Sequence, residues 1–512
     1  MTPIPDTLAG LSFNPVEPST TAAANFLALG PKGLLIDGRW TQAADGAEFP
    51  SADPATGRTL AMVPRASARD ADAAVAAART ALESGPWAAS TPEDRSRMLW
   101  RIADLLEANL EELAALESLD QGKVLATAKF GEIPGAIAQF RYYAGAARAL
   151  EGTTVPTSLR RQGPDKQIFA YTVREPVGVV AAIVPWNSPL LMAAMKLAPA
   201  LVAGCTVVLK PAENTPLTAL RLGELLLEAG VPAGVVNILT GFGQEVGAAL
   251  ATHPGVDKIT FTGSTAVGKQ LVGDARSNLK RLTLELGGKS PAIIMDDADV
   301  ALAAAGVSRG IFDNGGQVCV ASSRIYAHRL VYEQVLESMV TQAESLSLGH
   351  GMDPGAGLGP LVSRAQADRV DSYVAAGRAA GVSVLTGGKQ GGAEGTFFQP
   401  TVLSGVAEDS PLMREEIFGP VAVVTPFDDP AEVIGWANDS RYGLAASVWT
   451  EGLSNAHRMA AQIKAGTVWI NCHSYFSPEL PKGGHKESGW GYENGTLGLS
   501  NYLESKTVCA VI

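Results

Sequence analysis

One cysteine, Cys319, lies shortly after a pair of glycines in the stretch FDNGGQVCVAS, residues 312–322. A cysteine thiolate is a strong nucleophile, and small residues beside it let a substrate come close. A free cysteine is also one of the residues that proteins bury most often, where it acts as a small apolar side chain. The stretch alone therefore leaves two interpretations open, a nucleophile or packing.

Any group that assists a thiol must be positioned by other elements, and the chain from about residue 176 to residue 287 indicates which. Apolar segments alternate there with segments of helical periodicity. Such alternation predicts a parallel sheet that is covered by helices on both faces and binds ligands beyond the carboxyl ends of its strands. The predicted strands are VGVVAAIVPW, TVVLKP, VVNILTG, DKITFTGS and KRLTLELGG. A second alternating region runs from SPAIIM to about Pro481.

Two polar residues follow strands of this predicted sheet and could take part in chemistry. Asn187 comes after the first strand and offers an uncharged amide donor, although an asparagine in a turn also commonly caps the next helix. Glu285 ends the last strand before two glycines, and a glutamate beside a cleft is a candidate general base. The alternative for Glu285 is an ordinary surface or ion-paired carboxylate.

Lys210 and Glu213 end the second strand. In a nucleotide-binding sheet, an acidic residue at such a position bonds both ribose hydroxyls and repels a 2′-phosphate, which favours NAD over NADP. The alternative is a local ion pair at the start of a helix.

Two glycine-rich turns, GFGQEVG (241–247) and GSTAVG (263–268), also lie between a strand and a helix. Either could bind a phosphate at the positive end of its helix, or neither, since such turns need small residues in any case.

Composition narrows the classes of partner. The 512 residues predict two to four domains at about 150 residues each. Acidic residues outnumber basic ones, 52 to 40, and no basic block stands out, so we expect no nucleic-acid partner. The four cysteines and six histidines are scattered, which predicts no metal site and a reducing, cytoplasmic location. The N-terminal segment predicts a loose arm and no signal peptide.

Three further segments bear on membranes and assembly. The stretch 189–209 is long enough to span a bilayer, but it contains Lys196 and Pro199, so a buried helix followed by a buried strand is predicted instead. RRQGPDKQIFAYTVREP indicates a polar hairpin, and the C-terminal SNYLESKTVCAVI an apolar strand. Both suggest oligomerisation through added strands, with pairing of the tail inside its own sheet as the alternative.

Seven segments taken together closely resemble the aldehyde dehydrogenase superfamily. They occur in the order of that family between about Asp37 and Val508, and they are PWN (185–187), LKPAENTP (209–216), FTGS (261–264), LELGGK (284–289), GQVC (316–319), EEIFGP (415–420) and the GYENG region (491–495).

The resemblance implies that Cys319 attacks an aldehyde to give a thiohemiacetal and then a thioester. Asn187 and the Cys319 main-chain N–H would form the oxyanion hole, and Glu285 would activate the water that hydrolyses the thioester. Lys196 and Glu493 match positions associated with proton relay near this glutamate. Retention of Glu285 argues against relatives that acylate coenzyme A.

The resemblance also implies a cofactor site for NAD, with NADP possible but less favoured. Trp186 and the turn of Gly263 and Ser264 would contact the pyrophosphate, and GFGQEVG would be a structural turn. Lys210 and Glu213 would hold the adenosine ribose, Glu416 the nicotinamide ribose, and Phe418 would pack near the ring.

The sequence departs from the family at three places near the expected substrate. Asp313 stands where relatives often have an aromatic residue, and Lys482 and Ser188 stand where they often have phenylalanine. The implied tunnel is lined by Met192, Met195, Asp313, Phe476 and Lys482. These departures suggest an aromatic or otherwise bulky aldehyde, or a semialdehyde whose carboxylate meets Lys482. The alternative is that Asp313 and Lys482 face solvent or pair with other residues.

The predicted fold is α/β, with a Rossmann-like parallel-sheet cofactor domain, an α/β catalytic domain and a small β oligomerisation element. The predicted parts are an N-terminal arm (1–30), an NAD-binding domain (31–156 and 176–287), a catalytic domain (288–487) and an oligomerisation element (157–175 and 488–512). We expect a homodimer or homotetramer that takes a small-molecule aldehyde and has no membrane partner.

Two rival functions are a thiol esterase with the same Cys319 and Glu285, and a non-catalytic protein on an enzyme scaffold. The retained polar residues disfavour the second.

Overall fold

The computed structural model describes residues 21–30, 32–159, 163 and 166–512. The end of the predicted N-terminal arm is the helix Thr21–Ala28 and not loose chain. It folds because Ala23 and Phe26 are buried against the body, and because the Lys32 ammonium donates to the Phe26 carbonyl. Residues 1–20 of the predicted arm lie outside the described residues.

The predicted parallel sheet is present and has additional strands at both edges. Five parallel strands form its centre, since Val179–Ile183 pairs on one side with Thr206–Lys210 and on the other with Lys258–Thr262. At one edge Leu34–Ile36 is antiparallel to the centre and pairs with Arg39–Thr41 in a hairpin; at the other edge Gly489–Trp490 pairs antiparallel with the strand that ends at Glu285. The full order is Arg39–Thr41, Leu34–Ile36, Val236–Ile238, Thr206–Lys210, Val179–Ile183, Lys258–Thr262, Arg281–Glu285 and Gly489–Trp490.

The three middle strands, Val179–Ile183, Thr206–Lys210 and Lys258–Thr262, are buried along their whole length, because helices cover both faces of the sheet. The prediction of a buried helix and strand for the stretch 189–209 is confirmed, since the helix Pro189–Ala203 is followed by a buried strand. None of the helices in the described ranges is long and apolar enough to cross a bilayer. The main helices of this half are Ala68–Glu83, Pro92–Ala108, Leu110–Gln121, Ile133–Ala146, Pro189–Ala203, Leu217–Glu228, Ala248–Thr252 and Thr265–Asp274.

A second sheet of seven strands follows in the chain, as the alternating pattern predicts. All neighbouring strands are parallel except the antiparallel edge strand Ser383–Thr386. The order is Ser383–Thr386, Thr401–Ser404, Val421–Phe427, Arg324–His328, Pro291–Ile294, Ala445–Trp449 and Thr467–Ile470. Its main helices are Val300–Phe312, Tyr332–Ser345, Arg364–Ala379, Pro430–Asn438 and Leu453–Gln462. The two sheets with their helices confirm the α/β fold.

A separate antiparallel ribbon joins Ile168–Pro176 to the C-terminal strand Leu503–Val511 over their full lengths. The tail thus pairs inside its own chain. Part of the predicted hairpin, residues 160–162 and 164–165, lies outside the described residues. Three smaller antiparallel pairs complete the strands: Glu48–Ala52 with Thr59–Pro64, Gln390–Gly391 with Phe397–Phe398, and Tyr442–Gly443 with His485–Lys486. Short helices occupy Gly85–Ala88, Leu125–Thr127, Pro411–Arg414 and Gly495–Ser500, with single π-helical turns at Ala128–Glu132 and Gly243–Gly247.

Candidate active site

A cavity of about 850 Å³ lies at the carboxyl ends of the first sheet and reaches the loops of the second. Turns that follow three central elements line it, at 185–188, 262–266 and 286–287. From the second half come the loop 318–320 and the segment 415–418. The cavity is therefore where the rule for parallel sheets predicts a ligand site.

Cys319 lies on this wall, half-buried, after the helix Val300–Phe312 has ended. Asn314, Gly315 and Gly316 all have positive φ, 50°, 64° and 68°, so the chain turns back sharply before the cysteine. A Cβ on Gly316 would collide with the Gly419 carbonyl, and one on Gly288 with the carbonyl of Cys319 itself. These glycines allow the loop to sit close against its neighbours.

Asn187 is held in the turn after the first central strand. Its Nδ2 donates to the Gln317 carbonyl at 2.8 Å, which ties this turn to the cysteine loop. The main-chain carbonyl of Asn187 accepts hydrogen bonds from Lys123 Nζ at 2.9 Å and from Asn314 Nδ2 at 3.0 Å. The amide is therefore fixed against the loop of Cys319.

Behind Asn187 lies a buried charge cluster that the sequence analysis missed. Lys123 Nζ is 3.1 Å from Glu117 Oε1 and 3.4 Å from Glu132 Oε1, and the side chains of Lys123 and Glu117 are fully buried. Glu132 also accepts from Ser188 Oγ at 3.0 Å, so the serine that replaces a common phenylalanine has a polar partner. The only signal in the sequence was a lysine just after the helix-ending Gly122.

Glu285 ends its strand as predicted and is buried, with 1% of its surface exposed. Neither carboxylate oxygen has a hydrogen-bond partner in the described part of the chain. Burial raises the pKa of Glu285 to about 8, and the ammonium of Lys482, 3.8 Å from Oε2, opposes that rise. A carboxylate of this kind can accept a proton near neutral pH.

Lys482 is also buried, and it does not face solvent. Its Nζ lies 3.9 Å from Cys319 Sγ as well as 3.8 Å from Glu285. The lysine thus pairs with two other groups of the site, which was one of the alternatives for it.

Lys196 and Glu493 form a buried ion pair, with side chains 0% and 2% exposed. Lys196 Nζ also donates to Thr260 Oγ1 at 3.2 Å, while Glu493 Oε2 has no hydrogen-bond partner among the described residues. The main chain of Glu493 forms two 2.7 Å hydrogen bonds with that of Lys482. The pair therefore adjoins the group formed by Lys482, Glu285 and Cys319.

The cavity also has features that fit a dinucleotide. Ser264 caps the ten-residue helix Thr265–Asp274, whose positive end opens on the cavity with Gly263. Nearby, Thr262 Oγ1 is buried without a hydrogen-bond partner among the described residues, so it can take one from a ligand.

An aromatic pair and a carboxylate stand on the same wall. Trp186 and Phe418 meet edge to face at 5.2 Å, and Phe418 holds a φ of 60° with its carbonyl bound by Gln366 Nε2. Glu416 accepts from the Gly288 N–H at 2.9 Å, and burial raises the pKa of Glu416 to about 7. A carboxylate here can accept hydrogen bonds from sugar hydroxyls.

Two predicted cofactor residues are not among those that line the cavity. Lys210 Nζ is 3.5 Å from Glu213 Oε2 and donates to the Pro211 carbonyl, which is the local ion pair considered from the sequence. The competing turn GFGQEVG is tied into the body, since Glu245 accepts from Arg65 Nε at 2.8 Å and Phe242 packs on Phe49.

The five predicted tunnel residues all line the cavity. Met195 is buried and Met192 half-buried, and Phe476 packs edge to face on Trp469 at 5.5 Å with half its surface exposed. Asp313 is exposed at the start of the turn before Cys319.

Comparison with known proteins shows which family the chain resembles in sequence and in fold. A model of the aldehyde dehydrogenase family matches residues 40–508. Phenylacetaldehyde dehydrogenase of Pseudomonas fluorescens is 46% identical over 480 residues, 93% of this chain and 95% of that protein. The structure of aldehyde dehydrogenase from Bacillus cereus in complex with NAD⁺ is 45% identical, with a TM-score of 0.94 over 96% of this chain and 99% of that one. The P. syringae indole-3-acetaldehyde dehydrogenase in complex with NAD⁺ and IAA is 42% identical, with a TM-score of 0.92 over 96% and 99%. The chain therefore belongs to the aldehyde dehydrogenase family and oxidises aldehydes to carboxylic acids with a nicotinamide dinucleotide.

Proposed function

We propose that Cys319, Asn187 and Glu285 carry out this oxidation in the cavity. One observation carries the proposal: a half-buried thiol, a fixed amide and a buried carboxylate with a raised pKa come together at the carboxyl end of one sheet. The Cys319 sulfur adds to the aldehyde carbon, and the carbonyl oxygen becomes the oxyanion of a thiohemiacetal. Asn187 Nδ2 and the Cys319 N–H would donate to that oxygen.

The second half of the reaction uses the carboxylate. A nicotinamide dinucleotide, when bound, would accept the hydride that the thiohemiacetal carbon loses as the thioester forms. Glu285 then takes a proton from the water that attacks the thioester carbon, and the carboxylic acid leaves as the thiol is restored. The Lys196–Glu493 pair would pass that proton away from Glu285.

For the cofactor, we propose NAD rather than NADP. Trp186, Gly263, Ser264, Glu416 and Phe418 would hold it along the cavity wall. Glu213 would bond both hydroxyls of the adenosine ribose with Lys210 beside it, and its carboxylate, 38% exposed, would repel a 2′-phosphate.

For the substrate, we propose an aromatic or otherwise bulky aldehyde. Met192 and Met195 give an adaptable apolar wall, and Phe476 offers a ring at the mouth. The related enzymes named for phenylacetaldehyde and indole-3-acetaldehyde support this choice. A semialdehyde is disfavoured because Lys482 is buried and already contacts Glu285 and Cys319.

We also keep the predicted division of the chain, supported by two separate sheets and one ribbon. The C-terminal strand of the ribbon would provide the contact of a homodimer or homotetramer, which light scattering of the purified chain measures. The four free thiols support a reducing compartment such as the cytoplasm.

The test is NADH formation across a panel of aldehydes. Cys319→Ala should abolish oxidation of every aldehyde, while Cys509→Ala, which alters an exposed thiol in the ribbon, should leave it unchanged. Phenylacetaldehyde should give a higher kcat/KM than succinic semialdehyde, and NADP should be a poorer cofactor than NAD. Equal rates for Cys319→Ala and the wild type would refute the nucleophile.

A further inference from the structure

Lys482 lies in the active site but has no role in the reaction steps proposed for Cys319, Asn187 and Glu285. Its ammonium lies within 3.9 Å of the sulfur of Cys319 and 3.8 Å of a carboxylate oxygen of Glu285. The lysine is 6% exposed and lines the cavity. One buried cation thus contacts both groups that must ionise during the reaction.

The main chain holds this ammonium in place independently of its side-chain contacts. Lys482 N–H donates to the Glu493 carbonyl and its own carbonyl accepts from the Glu493 N–H, both at 2.7 Å. The side chain of Glu493 is itself fixed by the ion pair with Lys196. A substitution at residue 482 therefore changes the charge and leaves these backbone contacts available.

The surroundings of Cys319 show what the cation contributes. Burial raises the pKa of the Cys319 thiol and Lys482 opposes that rise, while the carboxylates of Glu416, Glu285 and Glu493 add to it. Burial also disfavours the charged form of Lys482, but Cys319, Glu285 and Glu493 outweigh burial and hold the pKa of Lys482 above its usual value. The lysine is therefore protonated at neutral pH.

We propose that Lys482 is a catalytic residue that stabilises the Cys319 thiolate in the cofactor-free enzyme and the Glu285 carboxylate in the acyl-enzyme. The proposal rests on the roles given above to Cys319 and Glu285. The reason is that the single ammonium of Lys482 lies within reach of two groups that become anions, the thiol and the carboxyl. In the free enzyme the thiol and the carboxyl compete for the stabilisation that Lys482 offers, so they titrate as a coupled pair.

Acylation changes this competition. Once the sulfur carries an acyl group it can no longer be an anion, and Lys482 then acts on Glu285 alone. The ionised carboxylate becomes more favourable at the stage where a base is needed to activate water. The same lysine thus assists attack first and hydrolysis second without moving to another site.

The first test measures alkylation of Cys319 by iodoacetamide in the full-length enzyme without cofactor. Iodoacetamide is uncharged, so its approach does not depend on the charge at residue 482. The rate at the Cys319 peptide is followed by mass spectrometry from about pH 5 to about pH 10. Lys482→Met should raise the midpoint by about 1–3 pH units, the effect of removing an opposite charge at this distance, so at any pH below both midpoints the alkylation rate should fall about 10- to 1000-fold.

The controls separate charge from structure. Lys482→Arg should keep the wild-type profile, and Lys486→Met, which removes an exposed lysine bound to the Asn438 and Ser440 carbonyls, should also leave it unchanged. The exposed Cys509 should keep the same profile in every variant. If Lys482→Met does not fold, Lys482→Phe takes its place. A midpoint equal to that of the wild type in the neutral variant overturns the proposal.

The second test follows hydrolysis of 4-nitrophenyl acetate, again without cofactor. Attack by Cys319 releases 4-nitrophenolate and leaves an acetyl thioester, which water then cleaves to acetate and the free thiol. Lys482→Met should lower the steady rate of thioester cleavage at neutral pH and recover it as the pH rises. Unchanged cleavage overturns the second half of the proposal. Aldehyde oxidation by Cys319→Ala would instead overturn the proposed function, so the two failures are distinguishable.

Discussion

Glu493→Gln removes the charge from one partner of the buried Lys196–Glu493 pair and keeps the shape of the side chain. The two side chains are 0% and 2% exposed, so water cannot take over the role of the lost carboxylate. Lys196 would keep the 3.2 Å contact with Thr260 Oγ1 and a neutral amide oxygen at residue 493 as acceptor, but no anion would balance its charge. Breaking a pair buried this deeply costs about 3–5 kcal/mol of unfolding free energy.

A second buried lysine adds to this cost. The pKa of Lys258 is lowered to about 7, chiefly by burial and in part by Lys196, while Cys205 and Glu493 oppose the fall. Without the Glu493 charge the pKa of Lys258 would fall further, so the folded chain would hold this lysine in its neutral form at a greater cost. We therefore expect the upper part of that range.

Urea denaturation measures the effect, with attention to the first transition because a chain with two sheets need not unfold in one step. A loss of about 4–5 kcal/mol and a slope of about 3 kcal/mol/M or more should lower the urea midpoint of Glu493→Gln by up to about 1.5 M. Glu175→Gln is the matched control, since Glu175 pairs with Lys506 in the exposed ribbon and such pairs contribute about 0–1 kcal/mol. An unchanged midpoint for Glu493→Gln would refute the argument from burial.

The double variant Lys196→Met with Glu493→Gln separates stability from proton relay. It removes both charges, so most of the stability should return. If the pair relays protons from Glu285, the stable double variant should still hydrolyse its thioester slowly. Full activity in the double variant would assign the pair a structural role only.

Two other predictions concern the proposed chemistry itself. Asn187→Ala should lower kcat/KM about 10²–10³-fold through loss of an oxyanion donor, with the rate of Cys319 alkylation unchanged; a loss below tenfold would remove Asn187 from that role. Thioester hydrolysis should speed up as the pH rises toward about 8, the value to which burial raises the pKa of Glu285 in the free enzyme, because only the ionised form accepts a proton and acylation of Cys319 favours that form. A pH profile that is flat in the wild type, or unchanged in Glu285→Gln, would contradict this assignment.

The sheets and the strand-end residues could be predicted because their signals are local. A run such as VVAAI at 179–183 is apolar on both faces, and the residues that follow it must lie at a carboxyl end. Asn187 and Glu285 were found in this way. The Thr21–Ala28 helix was missed because its stability comes from burying Phe26 against distant parts of the chain.

The environment of Lys482 and the cluster around Lys123 could not be predicted for a related reason. A lysine in a sequence is most often solvated, and only packing shows that its charge is buried. The groups that surround Lys482 come from a strand end, a tight loop and the C-terminal segment. No short stretch of sequence contains two of them together.

The two buried lysines Lys196 and Lys482 differ in how many acidic groups each one contacts. Lys196 has one carboxylate partner, whereas Lys482 faces an acid in Glu285 and a second in Cys319. A single cation cannot stabilise both anions fully in a buried site, so the two acids cannot both lose their protons at their separate pKa values. The pH dependence of attack must then report the pair, while that of thioester hydrolysis reports Glu285 alone, since the acylated sulfur has left the equilibrium. We therefore expect the two steps to differ in their pH midpoints in the wild type and to differ less once Lys482 is neutral.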